Sequence, residues 1–490
     1  MKSLAAAVLG LLVLGSAAGV AGEELQGVPV VLHVHSDLST GDLSLDELAR
    51  MARAQELGGL FLVENYLLRA EYGLAPFRAL TRVTHEQRGV LTSGLEDYLA
   101  RVARARRAHP ELLIVPGVEV IPHQYWSGSP VGLAMTLHNT QKNLLVFGLS
   151  DPAALRSLPV AGNPHARRYG WQSLIDAVPA LLLVPGVVLL LTKRVHRQRV
   201  GRAIVLVRRR HWVLGGALAI VGTVALVRGW PFTIDAYPPW RDFGVAPYQE
   251  LIDHVERLGG ATIWSFPEAW DEGRRSIGGV KVSWRTEPYP DDLLRTFRYT
   301  AFAALYEQTT RFTQPGGAWD RLLVEYAAGE RSRPAWGVGE SGFHGTAAGK
   351  RLGAIQTVFL VRDRSEPAVL DALKRGRMYA LQRVPEASLV LADWSVAAGN
   401  AVALSGETLR VAEGTPIDIR IAVDAVGAGA EGLRVTLVRN GAVLNAWGGD
   451  TSVRATHREI FDGRPLVLRI DARARVPHRL ITNPIFVARR

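Results

Sequence analysis

Residues 28–59 read VPVVLHVHSDLSTGDLSLDELARMARAQELGG. A continuous apolar run of strand length, 28–33, leads into His33-Val34-His35-Ser36, then a loop of Ser, Thr, Gly and Asp. Ser44-Leu45-Asp46-Glu47 is a capping box, whose reciprocal side-chain and backbone bonds open a helix that runs to Leu57 before Gly58-Gly59. Residues i and i+2 of a strand share a face, so His33 and His35 can present both imidazoles to one metal ion. A His-x-His pair alone is a weak signal. Its place between a buried strand and a capped helix gives it weight.

Working outward, strand and helix patterns alternate. Residues 60–63 form a short strand, Ser93-Gly94-Leu95-Glu96 heads a second capped helix to Ala108, and 112–120 and 143–149 read as buried strands. Later come a helix near 247–258, a strand at 261–266, a long helix from about Asp291, strands near 336–339 and 356–361, and a helix at 366–375. Repeated strand–helix units predict a parallel sheet, with the functional loops at the C-terminal ends of its strands. From about residue 386 the pattern changes to short strands at 415–423, 433–439 and 466–471, with Asn440-Gly441 as a hairpin turn. These predict a β-sandwich over 386–490.

Composition narrows the chemistry. The 490 residues contain no Cys, which excludes disulfides, zinc–thiolate sites and a thiol nucleophile. Any metal is therefore held by His, Asp and Glu. A chain with 48% hydrophobic and 21% charged residues is not disordered. The net charge of +11 is concentrated: eight Lys and Arg lie between Lys193 and Arg210 without an acidic residue, and the remainder is near balance. That run is flanked by 177–192 and 212–227, each 16 residues without charge. The pattern argues against nucleic-acid binding and for a transmembrane hairpin at about 174–192 and 212–228, inside an insertion spanning 151–246. Trp171 and Trp230 mark its outer ends, and the arginine-rich loop stays cytoplasmic. Met1-Lys2-Ser3, an apolar stretch to about Val20 and small residues before Glu23 read as a signal peptide or N-terminal anchor over 1–21. The domains that follow then lie on the exported side of the cell membrane.

The opening motif VLHVHSDLSTG, followed by LDELARMA, resembles the PHP (polymerase and histidinol phosphatase) family of metal-dependent phosphoesterases. Residues 114–120 (IVPGVEV) resemble its strand with a metal-bridging Glu, here Glu119. His138, before 143–149 (NLLVFGL), resembles the family His that precedes a hydrophobic strand, and 339–345 (GESGFHG) resembles the last motif, giving His344. Residues 479–487 (RLITNPIFV) resemble the closing strand of larger members. The resemblance covers about 28–149 and 245–385.

It implies an α/β fold: a distorted (β/α)7 PHP-type barrel in two parts, 22–150 and 247–385, interrupted by the hairpin and followed by the sandwich. It also implies that His33, His35, Glu119, His138 and His344 are metal ligands, with catalytic roles for Glu119 and His344. His33, His35 and Glu119 would share one ion, Glu119 and His138 a second, and His344 would belong to a third. The chain departs from the family at Thr40, where an Asp is usual and Asp37 or Asp42 is the nearest substitute. It has Val63-Glu64-Asn65 for Thr-Asp-His, Ser265-Phe266-Pro267 for Ala-His-Pro, and Ser341-Gly342-Phe343-His344 for Ser-Asp-x-His. The expected cofactor is thus one or two divalent ions (Mn, Zn or Mg) rather than three, a second requiring Glu64, Glu268 or Glu340. The expected function is hydrolysis of a phosphoester by an exported, membrane-anchored enzyme. A lipid head group is a natural substrate class, because a hairpin inserted after 143–149 would rim the barrel's mouth. The alternative is a non-catalytic binding or scaffold protein with a degenerate metal site. His85, His109, His123 and His254 lie in no such context.

Overall fold

The computed structural model describes residues 25–306, 311–347 and 349–490. The signal peptide or anchor expected over 1–21 lies outside them. The chain is a mixed α/β structure. Strand Gln26–Val34 pairs in parallel with Gly59–Leu62, which pairs in parallel with Leu113–Val115. Two of these strands continue after a single-residue break, Gly59–Leu62 as Glu64–Asn65 and Leu113–Val115 as Gly117–Val120, but in a different sheet. The breaks fall at Val63 and at Pro116, which has no N–H to give to a ladder. The second sheet is six-stranded and ends with Ala261–Trp264, Ala301–Leu305 and Trp336–Gly339.

The structure departs from the expected parallel sheet and barrel, and its opening strand Gln26–Val34 pairs antiparallel with Ile355–Val361. Hydrogen bonding does not close into one barrel among the described residues, because the chain is divided between two sheets at those breaks. Strand Leu144–Phe147 also runs antiparallel to both its neighbours, Gly117–Val120 and Ala261–Trp264. Its C-terminal end therefore points away from the C-terminal end of Gly117–Val120, and the insertion that follows does not leave from there. Instead the chain returns: Ala161 N–H donates to the carbonyl of Pro122 at 3.1 Å, and Asn163 reaches the Tyr66 hydroxyl at 3.0 Å.

The insertion holds two helical segments, Trp171–Leu191 and Trp212–Gly229, which pack against each other. At 21 and 18 residues they are long and apolar enough to cross a membrane. Close approach depends on small residues: a Cβ on Gly186 would stand 2.4 Å from the backbone N of Ala219, and one on Gly222 2.3 Å from that of Leu183. The basic run between them folds as an exposed two-stranded hairpin, Arg194–Val200 with Ala203–Arg209.

Pattern reading missed a four-stranded sheet built from Asp271–Ile277, Val280–Thr286, Ala134–His138 and Tyr125–Ser129. The long helix expected from about Asp291 is only Pro290–Arg295. From Ser388 onward mainly antiparallel strands, with Thr408–Val411 parallel to Ile485–Arg489, enclose a second core around Ile417, Ile419, Leu437, Phe461 and Leu468. That region shares a sheet with the first: Met378–Gln382 pairs with Ile355–Val361 on one side and Arg479–Thr482 on the other. The two parts are further tied by Arg469, fully buried, whose guanidinium grips Asp320 at 2.6 and 2.8 Å.

Candidate metal centre

Strand Gln26–Val34 carries His33 near its end, and the ladder to Gly59–Leu62 shifts register between Leu32 and Val34. His33 has φ 73°, a left-handed conformation costly for a residue with a Cβ. The two imidazoles therefore do not meet by simple strand alternation. They meet because the strand kinks at His33 and ends at Val34. His33 Nε2 and His35 Nε2 lie 3.0 Å apart. The loop 36–44 then folds back over His35, and Gly41 permits it: a Cβ there would lie 2.4 Å from the His35 carbonyl oxygen.

His344 comes from the loop after Trp336–Gly339, which runs beside the first strand: Ser341 N–H donates to the Leu32 carbonyl, Phe343 N–H to that of His33, and His35 N–H to that of Phe343. Its ring stacks on His35 with centroids 4.0 Å apart, and its Nδ1 lies 3.0 Å from Thr40 Oγ1. One ligand atom from each of His33, His35 and His344 falls within 4.8 Å of the others.

Glu119, on strand Gly117–Val120, faces this trio. Its two oxygens lie 3.4 Å from His33 Nε2 and 3.4 Å from His35 Nε2. Two amides fix that carboxylate: Asn65 Nδ2 donates at 2.9 Å, and Asn143 Nδ2 donates to the other oxygen. Glu340 is fully buried behind His33, hydrogen-bonded to its Nδ1 and accepting from Ser265 Oγ, while its Oε2 has no partner. A carboxylate on one ring nitrogen orients the other toward an ion.

Burial dominates the electrostatics. It lowers the pKa of His33 to about 4, against the opposing pull of Glu119, and lowers His344 to about 4, with His33 adding to the effect. His35 is pushed down in the same way, then by His33 and His344. Burial raises Glu119, and raises Glu340 to about 8 despite the Ser265 hydrogen bond. Three neutral imidazoles and two buried acids make a donor set suited to a divalent ion.

Four of the five expected ligands, His33, His35, Glu119 and His344, come together. His138 is the exception. It ends strand Ala134–His138 in the separate four-stranded sheet, its ring stacks on Tyr125 at 4.5 Å, and Ser127 Oγ lies 2.7 Å from its Nε2. The chain turns between this strand and the next, so the residue that reaches Glu119 is Asn143, five positions later. Of the reserve acids, only Glu340 touches the trio. Glu64 accepts from Ser36 N–H at 2.9 Å and from the Ser36 and Ser39 hydroxyls, fastening the 36–39 loop, and burial raises it to about 7. Glu268 accepts the backbone N–H groups of Arg311 and Phe312. Asp42 accepts from Ala347 N–H at 3.2 Å. Sequence reasoning missed Asn65, Asn143 and Ser265. Asn65 and Ser265 stand within the motifs that depart from the family pattern.

No family model matches the chain, and no curated protein does. Among solved structures it is similar to a two-domain protein of Bacteroides vulgatus containing a PHP-like metal-dependent phosphoesterase assigned by prediction. Identity is 11% over 91% of this chain and 90% of that one, with a TM-score of 0.35. A protein of Bifidobacterium adolescentis assigned as a metal-dependent phosphoesterase is similar at 13% identity over 66% and 90%, TM-score 0.29. An amidohydrolase of Chromobacterium violaceum is similar at 14% identity over 66% and 89%, TM-score 0.27.

Proposed function

We propose that the cluster holds one or two divalent ions (Mn, Zn or Mg) and hydrolyses a phosphoester, in an exported protein anchored in the cell membrane. The observation that carries this reading is the convergence of His33, His35 and His344 within 4.8 Å, with both oxygens of Glu119 turned toward the first two. When bound, a divalent ion supplies a Lewis acid and a water of lowered pKa, and it neutralises phosphate oxygens. In the simplest arrangement His33, His35 and Glu119 hold it. Asn65 and Asn143 keep the Glu119 carboxylate aimed, and Glu340 fixes the His33 ring. His344, neutral at its lowered pKa and beside Thr40, would then be placed to take a proton from the attacking water and hand it on to the leaving alkoxide oxygen.

The two apolar helices, with Trp171 and Trp230 exposed at their outer ends, support the membrane reading. The returning path of the insertion supports a hairpin foot close to the segments that follow the site strands. On this reading the barrel-like and sandwich parts lie on the exported side, and the substrate is membrane-associated. Turnover of a phospholipid analogue and of a soluble phosphomonoester, each with added Mn²⁺, Zn²⁺ or Mg²⁺, tests it. Metal-dependent hydrolysis of either supports the enzyme, preference for the soluble compound removes the lipid, and no hydrolysis with metal bound leaves a binding protein. One observation favours that second reading: Phe266 stacks on His33 with centroids 5.3 Å apart, where the PHP resemblance expects a further ligand.

A further inference from the structure

The helices of the insertion leave the body after Arg168 and rejoin it at Ile234, two residues joined by an antiparallel bridge. There the structure encloses a cavity of about 220 Å³ whose wall includes Arg78, Arg82, Arg167, Arg228, Trp230 and Trp240. None of the cavity's residues belongs to the metal centre. Arg78 lies over the Trp240 ring, 3.3 Å from its centroid, and its Nε is buried without a hydrogen-bond partner. Asp176 stands 3.8 Å from Arg78 and Glu71 3.9 Å from Arg82, within ion-pair range but beyond hydrogen-bond distance. Glu71 is already held by Arg69 at 2.8 Å. Arg167 contacts Asp235 at 3.3 Å, and Arg228 has no ion pair among the described residues. The wall thus presents more guanidinium donors than its carboxylates satisfy.

We propose that this cavity binds a phosphoryl group, its oxygens accepting from Arg78, Arg82 and Arg228 between the indole walls. Guanidinium forks match phosphate oxygens two at a time, and a partly enclosed pocket strengthens such bonds. Trp171 and Trp230, 74% and 72% exposed, flank the foot of the hairpin. If the hairpin spans a bilayer, as proposed above, this foot lies at head-group depth and the phosphoryl carrier is an anionic phospholipid. A soluble phosphate ester offers the same chemistry, and the site itself does not depend on the membrane reading.

The test uses the full chain and its intrinsic tryptophan fluorescence, since indoles form part of the wall. In detergent the protein is titrated with glycerol 3-phosphate. In phosphatidylcholine nanodiscs it is compared with and without phosphatidylglycerol. The expected result is a saturable response that weakens by about tenfold or more in Arg78→Gln and in Arg228→Gln. Arg199→Gln, on the distant basic hairpin, leaves it unchanged. A response confined to phosphatidylglycerol identifies a lipid source, and one to glycerol 3-phosphate a soluble source. Equal responses from wild type and both pocket variants overturn the proposal. Failure to enter nanodiscs refutes the membrane reading alone, because the detergent titration still reports on the cavity.

Discussion

Replacing Glu119 with Gln separates metal binding from folding. The carboxylate accepts from Asn65 and Asn143, so an isosteric amide turns one acceptor into a donor. Asn143 Oδ1 is buried without a partner, so rotation of that amide lets it accept from the new Nε2. Removing a buried, desolvated acid is also not unfavourable in itself. The metal-free variant should therefore fold with stability within about 1 kcal/mol of wild type. Metal affinity behaves differently. Loss of an outer carboxylate costs about 10–100-fold, and a direct charged ligand stands at the upper end of that range or beyond it. With metal at 100 times the wild-type Kd, binding stabilises the fold by about 2.7 kcal/mol, and a hundredfold weaker site leaves about 0.4 kcal/mol. Isothermal titration with Mn²⁺ or Zn²⁺ and denaturation with and without metal measure both quantities. Unchanged affinity in Glu119→Gln would refute the assignment of this carboxylate as a ligand.

Other outcomes follow from the same geometry. His138→Ala should leave metal affinity within about twofold of wild type, because its partners are Tyr125 and Ser127, and a tenfold loss on titration would put it back in the site. Metal-free protein should lose stability as pH rises from about 6.5 to about 8. In that window the folded state keeps protons on Glu340 (about 8) and Glu64 (about 7) that the unfolded chain has released, whereas the histidines near 4 are neutral in both states above 6.5. Urea midpoints across that window check it, and bound metal should flatten the slope. Asp320→Ala strands a fully buried Arg469 and should cost about 3–5 kcal/mol, while the double variant with Arg469→Met should recover much of that on denaturation.

Much of the site was legible because the local signals agreed. The apolar strand, the Ser44–Glu47 capping box and the interval between them put His33 and His35 side by side at the end of the first strand, where the structure has them. The capping box forms as read, with Ser44 accepting from Glu47 N–H and Glu47 reaching back to Ser44 N–H. The backbone reason was different, since no alternation rule anticipates a kink at φ 73° on a histidine. What failed was non-local. The antiparallel direction of Leu144–Phe147 and the separate sheet holding His138 depend in part on partners more than a hundred residues away, Ala261–Trp264 and Val280–Thr286. An Asn that clamps a carboxylate leaves no periodic trace, so Asn65 and Asn143 could not be singled out. The apolar helices were plain from charge-free length, whereas the fold of the basic run as a β-hairpin was not, because its charges mask the alternation.

The most direct test is the metal content of purified full-length protein, followed by anomalous scattering from crystals soaked in Mn²⁺ or Zn²⁺. One or two ions are expected, with a peak among His33, His35, His344 and Glu119 and none at His138. Protein that stays metal-free at saturating concentrations of these ions, or a peak away from that cluster, would contradict that expectation.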